Sequence, residues 1–120
     1  MTDAPKPARL KTYTAETGLV YQYYFVGKRK ALDEPATEFV FDVSSDRKMR
    51  FSVSILVQDD AVASWNAAHG RALLDAEIYA AAKIQLTRAF DGIEELFERG
   101  RRLVVDASAL ADLLSTIGVE

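Results

Sequence analysis

The stretch MRFSVSILV, residues 49–57, alternates apolar and polar side chains along most of its length. A period of two places successive side chains on opposite faces of a sheet, so this stretch predicts a strand with one buried face. After residue 59 the apolar residues recur every three to four positions, which forms a stripe along a helix. That stripe comprises Ile78, Ala82, Leu86, Phe90, Ile93 and Phe97. The sequence therefore predicts a sheet followed by helices that cover it.

Three more strands are predicted upstream. Two lie between Arg9 and Val26 and join near Gly18, which can supply the positive φ of a tight hairpin turn. Residues 27–36 are predicted as a polar loop that contains the run Lys28-Arg29-Lys30, and residues 37–43 as the third strand. Short connections between sequential strands favour an antiparallel meander.

The helical half begins with a short helix that Asp59 or Asp60 is predicted to cap and that Gly70 ends. A long helix is predicted from residues 73–75 to Gly100. Gly92 lies inside it and costs about 1 kcal/mol relative to alanine, so either the helix tolerates Gly92 or it breaks there.

The C-terminal part predicts one more strand and one more helix. The apolar run at residues 103–105 is typical of a short strand, and Asp106 or Ser108 can cap the helix that follows. The apolar stripe of this helix is Leu110, Leu113, Leu114 and Ile117.

The expected fold is α+β: an antiparallel β-meander of about four strands covered by one long helix, with a C-terminal strand–helix unit. A length of 120 residues suits one domain. Residues 1–8 carry two of the three prolines and no periodicity, so they are predicted to form a flexible N-terminal tail. Residues 9–120 are predicted to form a single α+β domain.

The composition limits the chemistry. The chain has no cysteine, which excludes disulfides and thiolate metal sites, and its single histidine excludes a two-histidine metal site within one chain. Residues 1–7 lack the apolar run of a secretory signal, and no apolar run approaches the roughly 20 residues of a membrane helix. We therefore expect a cytoplasmic protein with no membrane association and no cofactor.

The catalytic motifs that we sought are missing from the sequence. No serine lies in a G-x-S-x-G elbow, and the glycines form neither of the familiar phosphate-binding loops. The acidic pairs Asp59-Asp60 and Glu94-Glu95 are explained by helix capping and by surface ion pairs. This pattern favours a role other than catalysis, although it does not exclude an enzyme.

Three functions stay open, and the first is protein–protein interaction. The sheet face opposite the long helix carries Val20, Tyr24, Val26, Val40 and Leu56 between polar residues. Either the C-terminal helix covers this face or it is an interface, because large exposed apolar patches mark binding sites. The expected partner is a second copy of the chain, forming a homodimer, or another protein.

The second function is binding or conversion of a small anionic ligand in a cleft between sheet and helix. The expected lining is Trp65, His69, Arg71 and tyrosines of the second strand such as Tyr24. For His69, an alternative is a structural role at the helix end beside Gly70. No metal ligand is expected.

The third function is nucleic-acid binding, which the net charge of −3 disfavours. The basic clusters at residues 28–30 and 47–50 are expected at opposite ends of the sheet, whereas a nucleic acid would need them on one surface.

Overall fold

The computed structural model describes residues 10–45, 49–92 and 101–120. Within these ranges the chain forms five strands and three helices. In chain order they are β1 (Lys11–Thr14), β2 (Val20–Lys30), β3 (Ala36–Ser45), β4 (Met49–Gln58), α1 (Asp59–His69), α2 (Asp75–Gly92), β5 (Arg102–Val105) and α3 (Ala107–Thr116). The expected α+β class is confirmed, with the meander and the C-terminal strand–helix unit both present.

The five strands form one sheet in the order β1-β2-β3-β4-β5. Neighbouring strands from β1 to β4 are antiparallel, and β5 pairs with β4 in parallel. A parallel neighbour requires a crossover connection, which here contains α1 and α2. The sheet thus has one strand more than the predicted meander, and this strand is reached through the helical half of the chain.

One face of the sheet, here called the inner face, is buried under the helices. Its side chains pack in one apolar cluster with Trp65 of α1, Leu86 of α2 and Leu113 of α3. The inner-face residues are Tyr21, Tyr23, Phe25, Phe39, Phe41, Val43, Phe51, Val53, Ile55 and Val57. The alternation from Arg50 to Ile55 therefore separates core from surface as the sequence predicts, whereas Leu56 is buried although it lies on the opposite face.

The C-terminal helix lies on the same side of the sheet as the other helices. Leu110, Leu113 and Leu114 are buried in the shared core, and α3 packs against both α1 and α2. Of the two alternatives that the sequence left open, covering of the opposite face by this helix is therefore excluded.

The end of α2 fastens the short edge strand β1 to the sheet. The ring of Phe90 stacks on Tyr21, with centroids 4.3 Å apart, and also contacts Tyr13 and Tyr23. The Tyr13 hydroxyl donates to the carboxylate of Asp91 at 2.6 Å. This hydrogen bond, reinforced by burial, raises the pKa of Tyr13 to about 12, so the phenol stays protonated and keeps donating.

Strand β2 is longer than the sequence predicts. Val26 is an extra residue at a β-bulge, because Phe25 pairs with Phe41 and Gly27 pairs with the adjacent Val40. The strand then continues to Lys30, so Lys28-Arg29-Lys30 lies in a strand and only residues 31–35 form the loop. The predicted polar loop at residues 27–36 is wrong for its first part, because a bulge interrupts the apolar alternation without ending the strand.

The helix ends show which residues perform the capping. The N-cap of α1 is Gln58, which makes no side-chain capping bond, and Asp59 and Asp60 lie in the first turn instead. There their carboxylates face the positive end of the helix dipole, so the predicted capping role is corrected to a charge role. Asp106 caps α3 as predicted, accepting a hydrogen bond from the Ala109 amide at 2.9 Å.

Two predicted segments lie outside the described residues. They are the flexible tail at residues 1–8 and the part of the long helix between Gly92 and Gly100, with Ile93 and Phe97 of the predicted stripe. The division into a tail and a single domain at 9–120 stays a prediction.

Two glycines provide a matched test of helix-end geometry. Gly70 ends α1 with φ +65°, whereas Gly92, the last described residue of α2, does not have a positive φ. An added Cβ meets no atom within 4 Å at either position, so only backbone conformation distinguishes the two. We expect Gly70→Ala to lower the free energy of unfolding by about 1 kcal/mol.

The control, Gly92→Ala, should leave that free energy unchanged or raise it by up to about 1 kcal/mol. Urea denaturation followed by circular dichroism measures both values. Equal destabilisation by the two substitutions would contradict this assignment of the helix end.

Candidate functional site: the outer face of the sheet

The face of the sheet opposite the helices, here called the outer face, is polar at its centre and carries partly exposed apolar residues. Strand register places its side chains in rows that cross β2, β3, β4 and β5. Its residues are Gln22, Tyr24, Val26, Arg29, Glu38, Val40, Asp42, Ser44, Arg50, Ser52, Ser54, Leu56, Arg102 and Val104. In the described part of the chain, all three helices contribute their buried side chains to the opposite face.

The first polar cluster on this face is centred on Asp42. Its carboxylate accepts a hydrogen bond from the Tyr24 hydroxyl at 2.5 Å and a longer one from the Ser52 hydroxyl at 3.4 Å. The hydrogen bond to Asp42 raises the pKa of the Tyr24 phenol, so this phenol is a donor and not a phenolate nucleophile near neutral pH. The Arg50 guanidinium approaches the same carboxylate only to 4.0 Å and stays largely exposed.

A shallow cavity of about 330 Å³ adjoins this cluster. Its volume lies at the lower end of the range for small-molecule sites, which is roughly 300–1,000 Å³. The lining residues are Leu10, Gln22, Tyr24, Asp42, Val43, Ser44 and Arg50. Arg50 and Gln22 can donate hydrogen bonds to a bound anion, whereas the Asp42 carboxylate would repel one.

The second polar cluster joins Arg29, Glu38 and Ser54. The Arg29 guanidinium contacts both oxygens of the Glu38 carboxylate, with the shorter distance at 2.9 Å, and the Ser54 hydroxyl donates to the same carboxylate at 2.6 Å. These two hydrogen-bond donors lower the pKa of Glu38, the guanidinium having the larger effect. Glu38 is therefore ionised at neutral pH and has no spare role as a general acid.

The third cluster ties the β2–β3 loop to the last strand. Arg102 of β5 contacts Asp33 at 2.7 Å and Glu34 at 3.4 Å. Leu56, which lies on the outer face between these elements, is fully buried. We infer that the loop covers the end of the outer face near Leu56, while no helix of the described residues covers the middle of that face.

Three of the four predicted site residues, Trp65, His69 and Arg71, come together at the end of α1. The His69 ring stacks on the Trp65 ring with centroids 3.9 Å apart, and the Arg71 guanidinium lies 4.9 Å from the same ring. Trp65 itself is only 5% exposed and belongs to the core. His69 also contacts the Trp65 carbonyl oxygen through Nδ1 at 2.9 Å, which ties its ring to the last turn of its own helix.

Arg71 is engaged in joining α1 to α2. Its guanidinium forms a two-pronged ion pair with Glu77, at 2.9 Å and 3.0 Å. Glu77 in turn accepts a hydrogen bond from the Leu74 amide at the start of α2. The Arg71 pairing and this backbone bond hold the pKa of Glu77 down at about 2. Arg71 and Glu77 therefore form a structural link between the end of α1 and the start of α2.

Tyr24 lies apart from those three residues. It points to the outer face, where it meets Asp42, while Trp65 belongs to the core on the inner face. The four predicted residues therefore do not line one cleft. On the outer face, the polar side chains instead gather around the carboxylates of Asp42 and Glu38. No sequence motif marks these two residues, and the sequence indicates only that they alternate with core residues of β3.

Comparisons with known proteins do not add to this geometry. No model of a protein family matches the chain, and no curated protein or solved structure matches it significantly. Among the helices described, none is long and apolar enough to cross a membrane. In the same parts of the chain, no three side chains of the metal-ligating types gather at a possible metal site.

The Glu38 cluster generates a prediction about pH. Because the folded-state pKa of Glu38 is lowered, its carboxylate stabilises the fold at neutral pH, and this contribution is lost as the pH falls through the folded-state pKa. Glu38→Gln should lower the free energy of unfolding by about 1 kcal/mol at pH 7, a figure that allows for the exposure of Arg29.

The difference between the wild type and Glu38→Gln should shrink as the pH is lowered below 4.5, the ordinary pKa of this carboxyl. Urea denaturation at a series of pH values measures it. The control is Glu16→Gln in the exposed β1–β2 turn, which should change stability little at any pH. A Glu38→Gln effect that persists unchanged in acid would show that the carboxylate charge is not what stabilises the cluster.

Proposed function

We propose that this chain is a small interaction domain that associates with a second copy of itself through the outer face of the sheet. The supporting observation is that all three described helices lie on one side, so the sheet presents a broad face that none of these helices covers. Several apolar side chains on this face remain exposed, among them Val20, Val26 and Val104. Burying these residues against a partner is the favourable change that drives such an association.

The size of this face suits a specific interface. Strands β2, β3 and β4 have ten or eleven residues each, and β1 and β5 have four. At about 3.3 Å per residue and 4.8 Å between strands, the face covers on the order of 600 Å² before side-chain relief is counted. Standard protein interfaces bury about 800 Å² per partner, so the whole face is of the appropriate scale.

The charges on this face favour self-association over a strongly charged partner. Arg29, Arg50 and Arg102 are interspersed with the carboxylates of Glu38 and Asp42, and the adjoining loop adds those of Asp33 and Glu34. Two copies of such a mixed surface can meet without net repulsion. A nucleic acid would meet carboxylates at the centre of the face, which makes it the least suitable partner.

A small anionic ligand in the cavity beside Tyr24 is the second candidate. The observation that favours it is the exposed Arg50 guanidinium, which is held only loosely at 4.0 Å from Asp42. A cytoplasmic location is part of both proposals, because a chain without cysteine suits a reducing compartment.

The test is sedimentation equilibrium over a range of protein concentrations. We expect a dimer of the wild-type chain and a dissociation constant at least about tenfold weaker for Val104→Glu, which puts a charge into the proposed interface. Val104 is 47% exposed in the single chain, so this substitution should leave the fold intact, as a thermal melt will check.

The matched control is Leu74→Glu, the same kind of change at a residue 64% exposed beside the helices. It should leave the dimer unaffected. A wild-type chain that stays monomeric, or a dimer that Leu74→Glu disrupts and Val104→Glu does not, would refute the proposed interface. Binding of inorganic phosphate to a monomer, lost in Arg50→Ala, would favour the second candidate.

A further inference from the structure

A second cavity lies on the other side of the sheet, between its inner face and the start of α2. It is a groove of about 270 Å³ lined by Phe25, Lys28, Phe39, Asp75, Ala76 and Tyr79. The rings of Phe25 and Tyr79 meet edge to face with centroids 4.9 Å apart, and Phe39 lies within 6.5 Å of both. Burial raises the pKa of the Tyr79 phenol, consistent with an apolar environment.

The two charged residues of the groove form an ion pair. Lys28 Nζ and Asp75 Oδ2 are 3.6 Å apart, and Asp75 is 89% exposed. The β-bulge at Val26 accounts for this position of Lys28, because the bulge shifts the alternation and turns Lys28 towards the helices. An exposed ion pair of this kind is weak and opens readily to admit other charged groups.

We propose that this groove binds an apolar α-amino acid. The ligand's side chain would lie among Phe25, Phe39 and Tyr79, its carboxylate would pair with Lys28, and its ammonium group would pair with Asp75. A volume of 270 Å³, just below the usual range for small-molecule sites, suits a ligand of this size. The proposal rests on the helix side of the sheet and is independent of association through the outer face.

Charge complementarity selects a zwitterion over simpler ligands. A monocarboxylate would gain Lys28 but would lie against Asp75, and a monoamine would gain Asp75 but would lie against Lys28. An uncharged ligand would leave the ion pair unused and would depend on the apolar lining alone. Only a ligand with both charges beside an apolar body satisfies every part of the lining.

The experiment is a titration of the isotope-labelled chain with phenylalanine, followed by amide chemical shifts. Ligand concentrations up to about 10 mM cover millimolar binding. We expect saturable shifts concentrated at Lys28, Ala76 and Tyr79. Phenylacetate and phenethylamine, which each lack one charge, should bind about tenfold more weakly than phenylalanine.

N-acetyl-phenylalaninamide separates a free amino acid from an aromatic side chain of another protein. This compound keeps the benzyl group and lacks both charges, so we expect its binding to be at least about tenfold weaker. Binding as tight as that of phenylalanine would overturn the proposal in favour of a peptide-docking groove. The absence of saturable shifts with phenylalanine would overturn it outright.

Variants connect the binding to the groove. Ala76→Leu fills the space from an exposed helix position and should abolish the shifts, whereas Ala72→Leu, at an exposed position outside the groove lining, should not. Lys28→Met should weaken the binding of phenylalanine about tenfold and leave the binding of phenethylamine unweakened. Asp75→Asn should also weaken the binding of phenylalanine and should leave the binding of phenylacetate unweakened. A thermal melt checks that each variant is folded, and equal losses for all ligands in both charge variants would refute the assigned pairing.

Repeating the titration with Val104→Glu distinguishes this proposal from the proposed function. Phenylalanine binding that survives in a monomer supports the groove whatever the fate of the outer face. Binding that requires the dimer would show that the groove of a single chain is not the site.

Discussion

The crossover from β4 to β5 determines which side of the sheet the helices occupy. Because β5 lies parallel to its neighbour β4, the chain must leave one end of β4 and return at the other, and α1 and α2 belong to that connection. A crossover of this kind lies over one face of its sheet. Helix α3 follows β5 directly and packs against both earlier helices, so the same face receives all three.

Because the described helices cover only one face of the sheet, the two faces of each strand carry different kinds of side chain. Residues of one parity, such as Phe41 and Val53, are fully buried under the helices. The residues that alternate with them along each strand lie on the outer face, most of which must remain compatible with water. The outer face meets that requirement by pairing its carboxylates locally, Asp42 with Tyr24 and Glu38 with Arg29. These pairings satisfy the carboxylates within the chain. The valines of the outer face, in contrast, are not covered by any of the described helices.

The sequence predicts the fold where one period persists and fails where the period shifts. The alternation from Arg50 to Ile55 and the stripe from Ile78 to Phe90 correctly separate core from surface, because burial on one side imposes a regular spacing. The bulge at Val26 shifts the alternation by one residue, so the charged end of β2 resembles a loop in the sequence. Local periodicity also does not predict that β5 pairs in parallel with β4, since this pairing depends on where the chain returns to the sheet after the helices.

The candidate sites are predictable to a smaller degree, for a related reason. Trp65, His69 and Arg71 lie within seven residues of each other, and the end of one helix brings them together. Tyr24 is separated from them by the sheet itself, because its position in β2 places its side chain on the outer face. The hydrogen-bonded pairings of Asp42 and Glu38 are also not predictable from the sequence, because their partners come from neighbouring strands.

The basic run Lys28-Arg29-Lys30 shows how a strand disperses charges that the sequence groups. After the bulge, Lys28 and Lys30 point to the helix side, where they pair with Asp75 of α2 and Asp59 of α1. Arg29 points to the outer face and pairs with Glu38. Three consecutive cations therefore serve three different contacts, and their charges do not combine into one field. This dispersion, more than the net charge of the chain, argues against a basic surface at this end of the sheet. It also places Lys28 in the groove beside Asp75.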